Sequence, residues 1–206
     1  FPNLDGSPYE SVVMDPNNDS IVFVGNQRVY RTISAGDSSG LDDGWEEVFT
    51  PESSPWAFNR INTKCNVIAV SDSNSDVVLA GFSIDYADKG GVFYSLDGGD
   101  TWSQILLVAA SNDNDLDVTD IEMTTESGSI VAYIGVESDP MVSGAYGVYR
   151  AELSSGVWSV AQDGSFSAKD GVIDLEMNAS RDTLIVLYKD PIASPANNVM
   201  IKDINN

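Results

Sequence analysis

Ser95-Leu96-Asp97-Gly98-Gly99-Asp100-Thr101-Trp102 follows the apolar run Gly91-Val92-Phe93-Tyr94 and leads into Ser103-Gln104-Ile105-Leu106-Leu107. Two strand-like runs joined by so short a polar stretch predict a tight turn between antiparallel strands. The Asp97 carboxylate is placed to accept backbone N–H groups of its own turn. Gly98 and Gly99 tolerate the positive φ that such a turn demands. Trp102 returns the chain to an apolar surface.

The same order of elements recurs on both sides of this stretch. Ser11-Val12-Val13-Met14 is followed by the turn residues Asp15-Pro16-Asn17-Asn18-Asp19. Ile21-Val22-Phe23-Val24-Gly25, Arg28-Val29-Tyr30-Arg31 and Trp45-Glu46-Glu47-Val48-Phe49 come next. The units span 11–49, 66–107, 118–161 and 172–204, a repeat of roughly 55 residues. Gly25, Gly81 and Gly135 close the second strand of successive units, and Trp45, Trp102 and Trp158 open the last. Each trio is expected to occupy one structural position. The fourth unit reaches Val199-Met200-Ile201-Lys202 and has no fourth strand in the sequence given.

Short antiparallel strands in tandem groups of four match the blades of a β-propeller. One such sheet leaves two apolar faces wet, so the units must stack radially. The spacing Ser95-x-Asp97-x-Gly99-x-Thr101-Trp102 resembles the Asp-box turn of a propeller family. That family includes sortilin-type receptors, sialidases and xyloglucan-cleaving glycosidases. Asp15-Pro16-Asn17-Asn18-Asp19-Ser20-Ile21-Val22-Phe23-Val24-Gly25 is similar to the turn and strand that open many of its blades. The resemblance implies an all-β fold, a secreted or cell-surface location, and a structural role for the box at the blade periphery. Pro2, Gly6 and Pro8 make residues 1–10 poor strand material. The chain is therefore read as about four blades of a larger propeller, with a four-bladed ring whose last blade the N-terminal segment completes as the alternative; residues 1–206 form one propeller region.

Charge narrows the partners. Lys and Arg number 10 against 32 Asp and Glu, a formal net charge of −22. Such a surface repels nucleic-acid phosphates and anionic lipid headgroups, so neither is an expected partner. No apolar run is long enough to cross a membrane as a helix. Histidine is absent, which removes the commonest general base and metal ligand. The single cysteine, Cys65, adjoins Val67-Ile68-Ala69-Val70 and reads as a small core residue.

Candidate sites follow from residues that the repeat does not explain. Asp120 and Asp174 sit among apolar residues in predicted first strands, which line the channel of a propeller. They are expected to hydrogen-bond backbone there, with a sugar-cleaving carboxylate pair as the alternative. Asp113, Asp115 and Asp117 alternate as calcium-loop ligands do, but Val118 and Thr124 stand where Gly and Glu belong. They read as a solvated loop, with a weak Ca²⁺ site completed by carbonyls as the alternative; no other cofactor is expected. Trp56, Tyr86 and Tyr146 lie in polar connections and are candidate contacts for a protein or carbohydrate ligand. Further blades or a partner chain are expected on the open ends. The functional expectation is a non-catalytic extracellular module for recognition, adhesion or scaffolding. The competing reading is part of a carbohydrate-active enzyme.

Overall fold

Runs of Val, Ile, Phe and Tyr punctuated by Asp, Asn and Gly fold into strands throughout, with no helix among the described residues. The computed structural model describes residues 10–34, 44–52, 63–84, 89–109, 116–138, 146–166, 171–188 and 199–204. The first sheet runs β1 (Ser11–Asp15), β2 (Asn18–Gly25), β3 (Val29–Thr32), β4 (Trp45–Phe49). The second runs β5 (Thr63–Val70), β6 (Val78–Ile84), β7 (Lys89–Ser95), β8 (Ser103–Ala109). The third comprises β9 (Leu116–Glu126), β10 (Ser129–Ser138), β11 (Gly147–Ser154) and β12 (Val157–Gln162). The fourth holds β13 (Val172–Met177), β14 (Thr183–Tyr188) and β15 (Val199–Asp203). Every pairing is antiparallel between sequential neighbours, the meander of a propeller blade.

Three apolar cores lie between consecutive sheets. Phe23, Val29 and Phe49 of the first sheet interleave with Cys65, Phe82 and Phe93 of the second. Phe82 meets Phe49 and Phe93 edge-on, at 5.7 and 5.6 Å between centroids. Leu79 and Val92 pack with Val118, Ile121 and Met123 of the third sheet. Tyr133 and Val148 pack with Val172, Leu175 and Leu184 of the fourth. The inner strands β1, β5, β9 and β13 succeed one another in contact.

The second-strand glycines set how closely sheets approach. A Cβ on Gly25 would meet Cys65 Sγ at 2.7 Å; one on Gly81 would meet Val118 Cγ1 at 2.4 Å; one on Gly135 would meet Val172 Cγ1 at 2.8 Å. Each glycine is thus a notch that seats the first strand of the next blade. Cys65, Val118 and Val172 are all fully buried there. Beside the notch the first strand bulges, at Asn66, Thr119 and Ile173. Two of these bulged residues bond the seated strand across the boundary. Asn66 Nδ2 donates to Val118 O at 2.9 Å, and Thr119 Oγ1 donates to Val172 O at 2.9 Å.

The glycine trio therefore shares one register position, opposite Val29, Val92 and Val148. The tryptophan trio does not. Trp45 pairs with Thr32, three residues beyond Val29, but the residue three beyond Val148 pairs with Val160. Trp158 lies two residues farther out, opposite Leu153, because the β11–β12 hairpin is longer. The fourth blade departs further. Leu187 occupies the glycine position opposite Asp174, and apolar Ile173 occupies the bulge.

Replacing Gly81 with alanine is expected to cost about 1–3 kcal/mol, since Val118 and Val67 crowd the added methyl. Urea unfolding measures it. Gly164→Ala, with nothing within 4 Å of its Cβ, is the control and should change stability by less than about 0.5 kcal/mol.

Candidate functional site

The turn at Ser95 is closed by its own side chains. Ser95 Oγ donates to Asp97 Oδ1 at 2.7 Å and accepts the Gly99 N–H at 2.8 Å. Asp97 Oδ1 accepts the Thr101 N–H at 2.8 Å, and Asp97 Oδ2 accepts the Thr101 hydroxyl at 2.6 Å. Gly98 and Gly99 take φ of 68° and 100°. Trp102 Nε1 donates to Gly99 O at 2.9 Å, and its ring stacks on Phe49 with centroids 5.0 Å apart. Arg31 reaches over from the first blade to Gly98 O at 2.6 Å and to Asp100 at 2.8 Å. Burial raises the Asp97 carboxyl, but donors on Thr101 and Ser95 outweigh it and hold the group below its ordinary range. Its polar atoms are engaged in fixing the turn and joining two blades.

A second cluster lies where the inner strands of the second, third and fourth blades converge. Past the bulge at Thr119, strand alternation puts Ile121 and Met123 against the second blade. Asp120, Glu122 and Thr124 therefore turn to the opposite side, toward the fourth. Asp120 Oδ2 accepts the Leu175 N–H at 2.8 Å, across the blade boundary. Asp120 Oδ1 accepts the Ile121 N–H at 2.8 Å. Ser11 does the same two boundaries earlier, between the first and second blades, accepting the Ile68 N–H at 2.9 Å. Arg181, at a φ of 53°, spans three blades. It pairs with Asp72 at 3.1 Å and Glu122 at 3.5 Å, and donates to Met123 O. Asp120, Glu122 and Arg181 line one side of a cleft of about 220 Å³ whose other wall is Val13, Val67 and Ala69.

Burial pushes the Asp120 carboxyl up to about 6 against the amides that hold its ionised form; a hydrogen bond with Asp174 and its charge add to the rise. Glu122 is pushed up to about 7 by burial first and then by Asp120, with Glu176 and Asp174 adding and Arg181 opposing. Both carboxyls thus keep their protons to higher pH than an exposed acid does. The cluster's geometry gives it two capacities: stitching strands together, and donating hydrogen bonds to a polar group in the cleft.

The other sequence candidates fall elsewhere. Trp56, Tyr86, Asp113 and Asp115 lie outside the described residues. Asp117 lies on β9 opposite Glu137. Tyr146 precedes β11, half-buried, and its carbonyl accepts Gln162 Nε2 at 2.8 Å. Among the described residues no group of three or more acidic or thiol side chains is arranged to hold a metal ion. Sequence reasoning missed Glu122, Glu176 and Arg181. The recurrence of Asp120-Ile121-Glu122-Met123 as Asp174-Leu175-Glu176-Met177 was a usable signal, because i and i+2 share a strand face.

Two outcomes follow. Asp97→Ala removes the acceptor that ties Ser95 and Thr101 together and should lower stability by about 0.5–1.5 kcal/mol in urea titration, since water can reach the exposed Thr101 amide. For the carboxyl cluster the folded state binds protons more tightly than the unfolded chain, so its contribution is fully present below about pH 4 and lost as pH rises through 6 and 7. Stability should therefore climb on acidification from about pH 8 to about pH 5, and Glu122→Gln should make that climb shallower. An unchanged slope would mean that Glu122 titrates as in the unfolded chain.

No protein-family model and no curated protein matches this sequence. Solved structures match the fold. The GH74 enzyme of Niastella koreensis superposes with a TM-score of 0.58 at 19% identity, over 94% of this chain and 28% of that one. The GH74 xyloglucanase of Xanthomonas campestris superposes with a TM-score of 0.58 at 11% identity, over 97% of this chain and 29% of that one. The chain thus spans less than a third of the length of either enzyme. At these identities the likeness establishes architecture: an all-β, partial β-propeller built of antiparallel blades.

Proposed function

We propose that this chain is a recognition or scaffolding segment of an extracellular β-propeller rather than its catalytic centre. One observation carries the reading. Both oxygens of Asp120, the best-placed candidate acid, are occupied by backbone amides, one in its own strand and one in the next blade. A carboxylate so committed holds blades together. The self-contained hydrogen bonding of Ser95, Asp97 and Thr101 supports reading that turn as an Asp-box with a structural role. A ligand of protein or carbohydrate character would meet the loops, where Trp56, Tyr86 and Tyr146 are the candidate contacts. The acidic surface, with a net charge of −22, fits a setting away from nucleic acid and anionic membranes. No cofactor is needed for this role.

A second reading is favoured by the structural likeness to two GH74 enzymes: the chain is part of a glycoside hydrolase that is completed by other polypeptide. One experiment separates the two. The 206-residue chain and the complete natural polypeptide are each incubated with xyloglucan and other polysaccharides. Binding is followed by affinity electrophoresis and cleavage by release of reducing ends. The scaffolding reading expects retardation without cleavage, or neither, from both samples. Reducing-end release that disappears in Asp120→Asn, with binding retained, overturns it.

A further inference from the structure

Opposite the second-strand glycine, the first strands of the first three blades place Ser11, Val67 and Asp120. Asp174, opposite Leu187, holds the same position in the fourth. A side chain at this position can accept the amide that follows the same position in the next blade. Ser11 does so for Ile68 at 2.9 Å. Val67 has no acceptor to offer, and the Ile121 amide turns instead to Asp120 of its own strand at 2.8 Å. Asp120 also takes the Leu175 amide of the fourth blade at 2.8 Å. One boundary is thus held here by a neutral hydroxyl, one by no side chain, and one by a carboxyl to which a second carboxyl, Asp174, is hydrogen-bonded.

The charged neighbours of that pair come from few elements. On β9 itself stands Glu122; Glu126, farther along, is paired with Arg150 at 2.7 Å. β13 brings Asp174 and Glu176, both exposed. The turn after β13 brings Arg181, shared between Glu122 and Asp72. β10 sets Gly135 opposite Asp120 and Tyr133 opposite Glu122, with the Tyr133 hydroxyl committed to Glu126 at 2.7 Å. The second blade packs on β9 with apolar side chains, Leu79 and Val92 among them. Two bonds without titratable groups flank the pair across the same boundary. Thr119 Oγ1 donates to Val172 O at 2.9 Å, and Thr124 Oγ1 donates to Arg181 O at 3.1 Å.

We propose that a proton shared between Asp120 and Asp174 braces the boundary of the third and fourth blades, and that this boundary alone slackens, between its two threonine bonds, when the proton leaves. With the proton in place one carboxyl donates to the other, and the Asp120 oxygens still accept both amides, each oxygen having two lone pairs. Without it, two negative groups face each other across the boundary with Glu122 alongside. Arg181 offsets part of this at Glu122, but burial and Asp120 outweigh it there. The folded pair holds its proton above the ordinary carboxylate range, so the brace is complete below about pH 4 and is lost as pH rises through about 6. The proposal rests on reading Asp120 as a link between blades.

The test is native-state hydrogen exchange in the complete natural polypeptide, resolved to single amides and corrected for the intrinsic pH dependence of exchange. From about pH 5 to about pH 8, protection of the Leu175 amide should fall about tenfold or more, while that of Ile68 changes less than about twofold. Asp174→Asn, which keeps a donor beside Asp120 at every pH, should leave Leu175 protection level. Asp120→Ser, which gives the third blade the neutral acceptor of the first, should do the same. Level or rising Leu175 protection in the unaltered protein would overturn the proposal, as would an equal fall at Ile68 or a fall that persists in both variants. A fall removed by Glu122→Gln but kept in Asp174→Asn would assign the proton to Glu122 and overturn it too. Polysaccharide cleavage lost in Asp120→Asn sinks the reading of Asp120 as a link; a level Leu175 amide in a protein that cleaves nothing sinks the shared proton alone.

Discussion

The closeness with which the first strand of one blade approaches the second strand of the blade before it sets the rest of this structure. At Gly25, Gly81 and Gly135 there is no room for a single methyl group. That contact brings Phe23, Phe49, Phe82 and Phe93 into one core and Val118, Ile121 and Met123 into the next. A lone meander of four strands has two faces and little interior, so its stability is borrowed from its neighbours. Bulging each first strand beside the notch frees a side chain to reach across, as Asn66 and Thr119 do. Sterics and hydrogen bonding thus act at the same place.

Electrostatics are layered on that packing. In a chain so short of cations, their placement is informative. Arg31, Arg181 and Lys202 each cross a blade boundary, and each finds a carboxylate on the far side. Exposed pairs of this kind contribute little individually. Their value lies in orientation: they fix rims whose backbone would otherwise swing about the apolar core. Asp120 works between first strands, by accepting an amide of the adjoining blade. Burial first, and Asp174 beside it, raise the cost of ionising Asp120, and the structure keeps that cost at a joint rather than on an open surface.

Much of this was legible in the sequence, because the chain repeats itself. Strand order, the glycine trio and the turn chemistry of Ser95, Asp97 and Thr101 are local patterns, and local patterns survive without knowledge of the fold. Register does not. The shift of Trp158 arises from the length of the β11–β12 hairpin, where Ser155 and Gly156 both take positive φ. Counting residues between tryptophans conceals that, since the extra hairpin length is absorbed by shorter connections elsewhere. Glu122 and Arg181 were invisible for a different reason. Arg181 reaches Asp72 and Glu122 only because a turn in the fourth blade lies beside a turn in the second, a proximity created by ring curvature.

Cys65 occupies the notch at Gly25, fully buried, with its amide bonded to Asn26 O at 2.5 Å and its thiol pushed up by burial. It is the only sulfhydryl in the chain. An alkylating reagent reaches it only when the first two blades part, and at that instant the thiol regains ordinary acidity. Its modification rate is therefore a clock for the breathing of that single boundary.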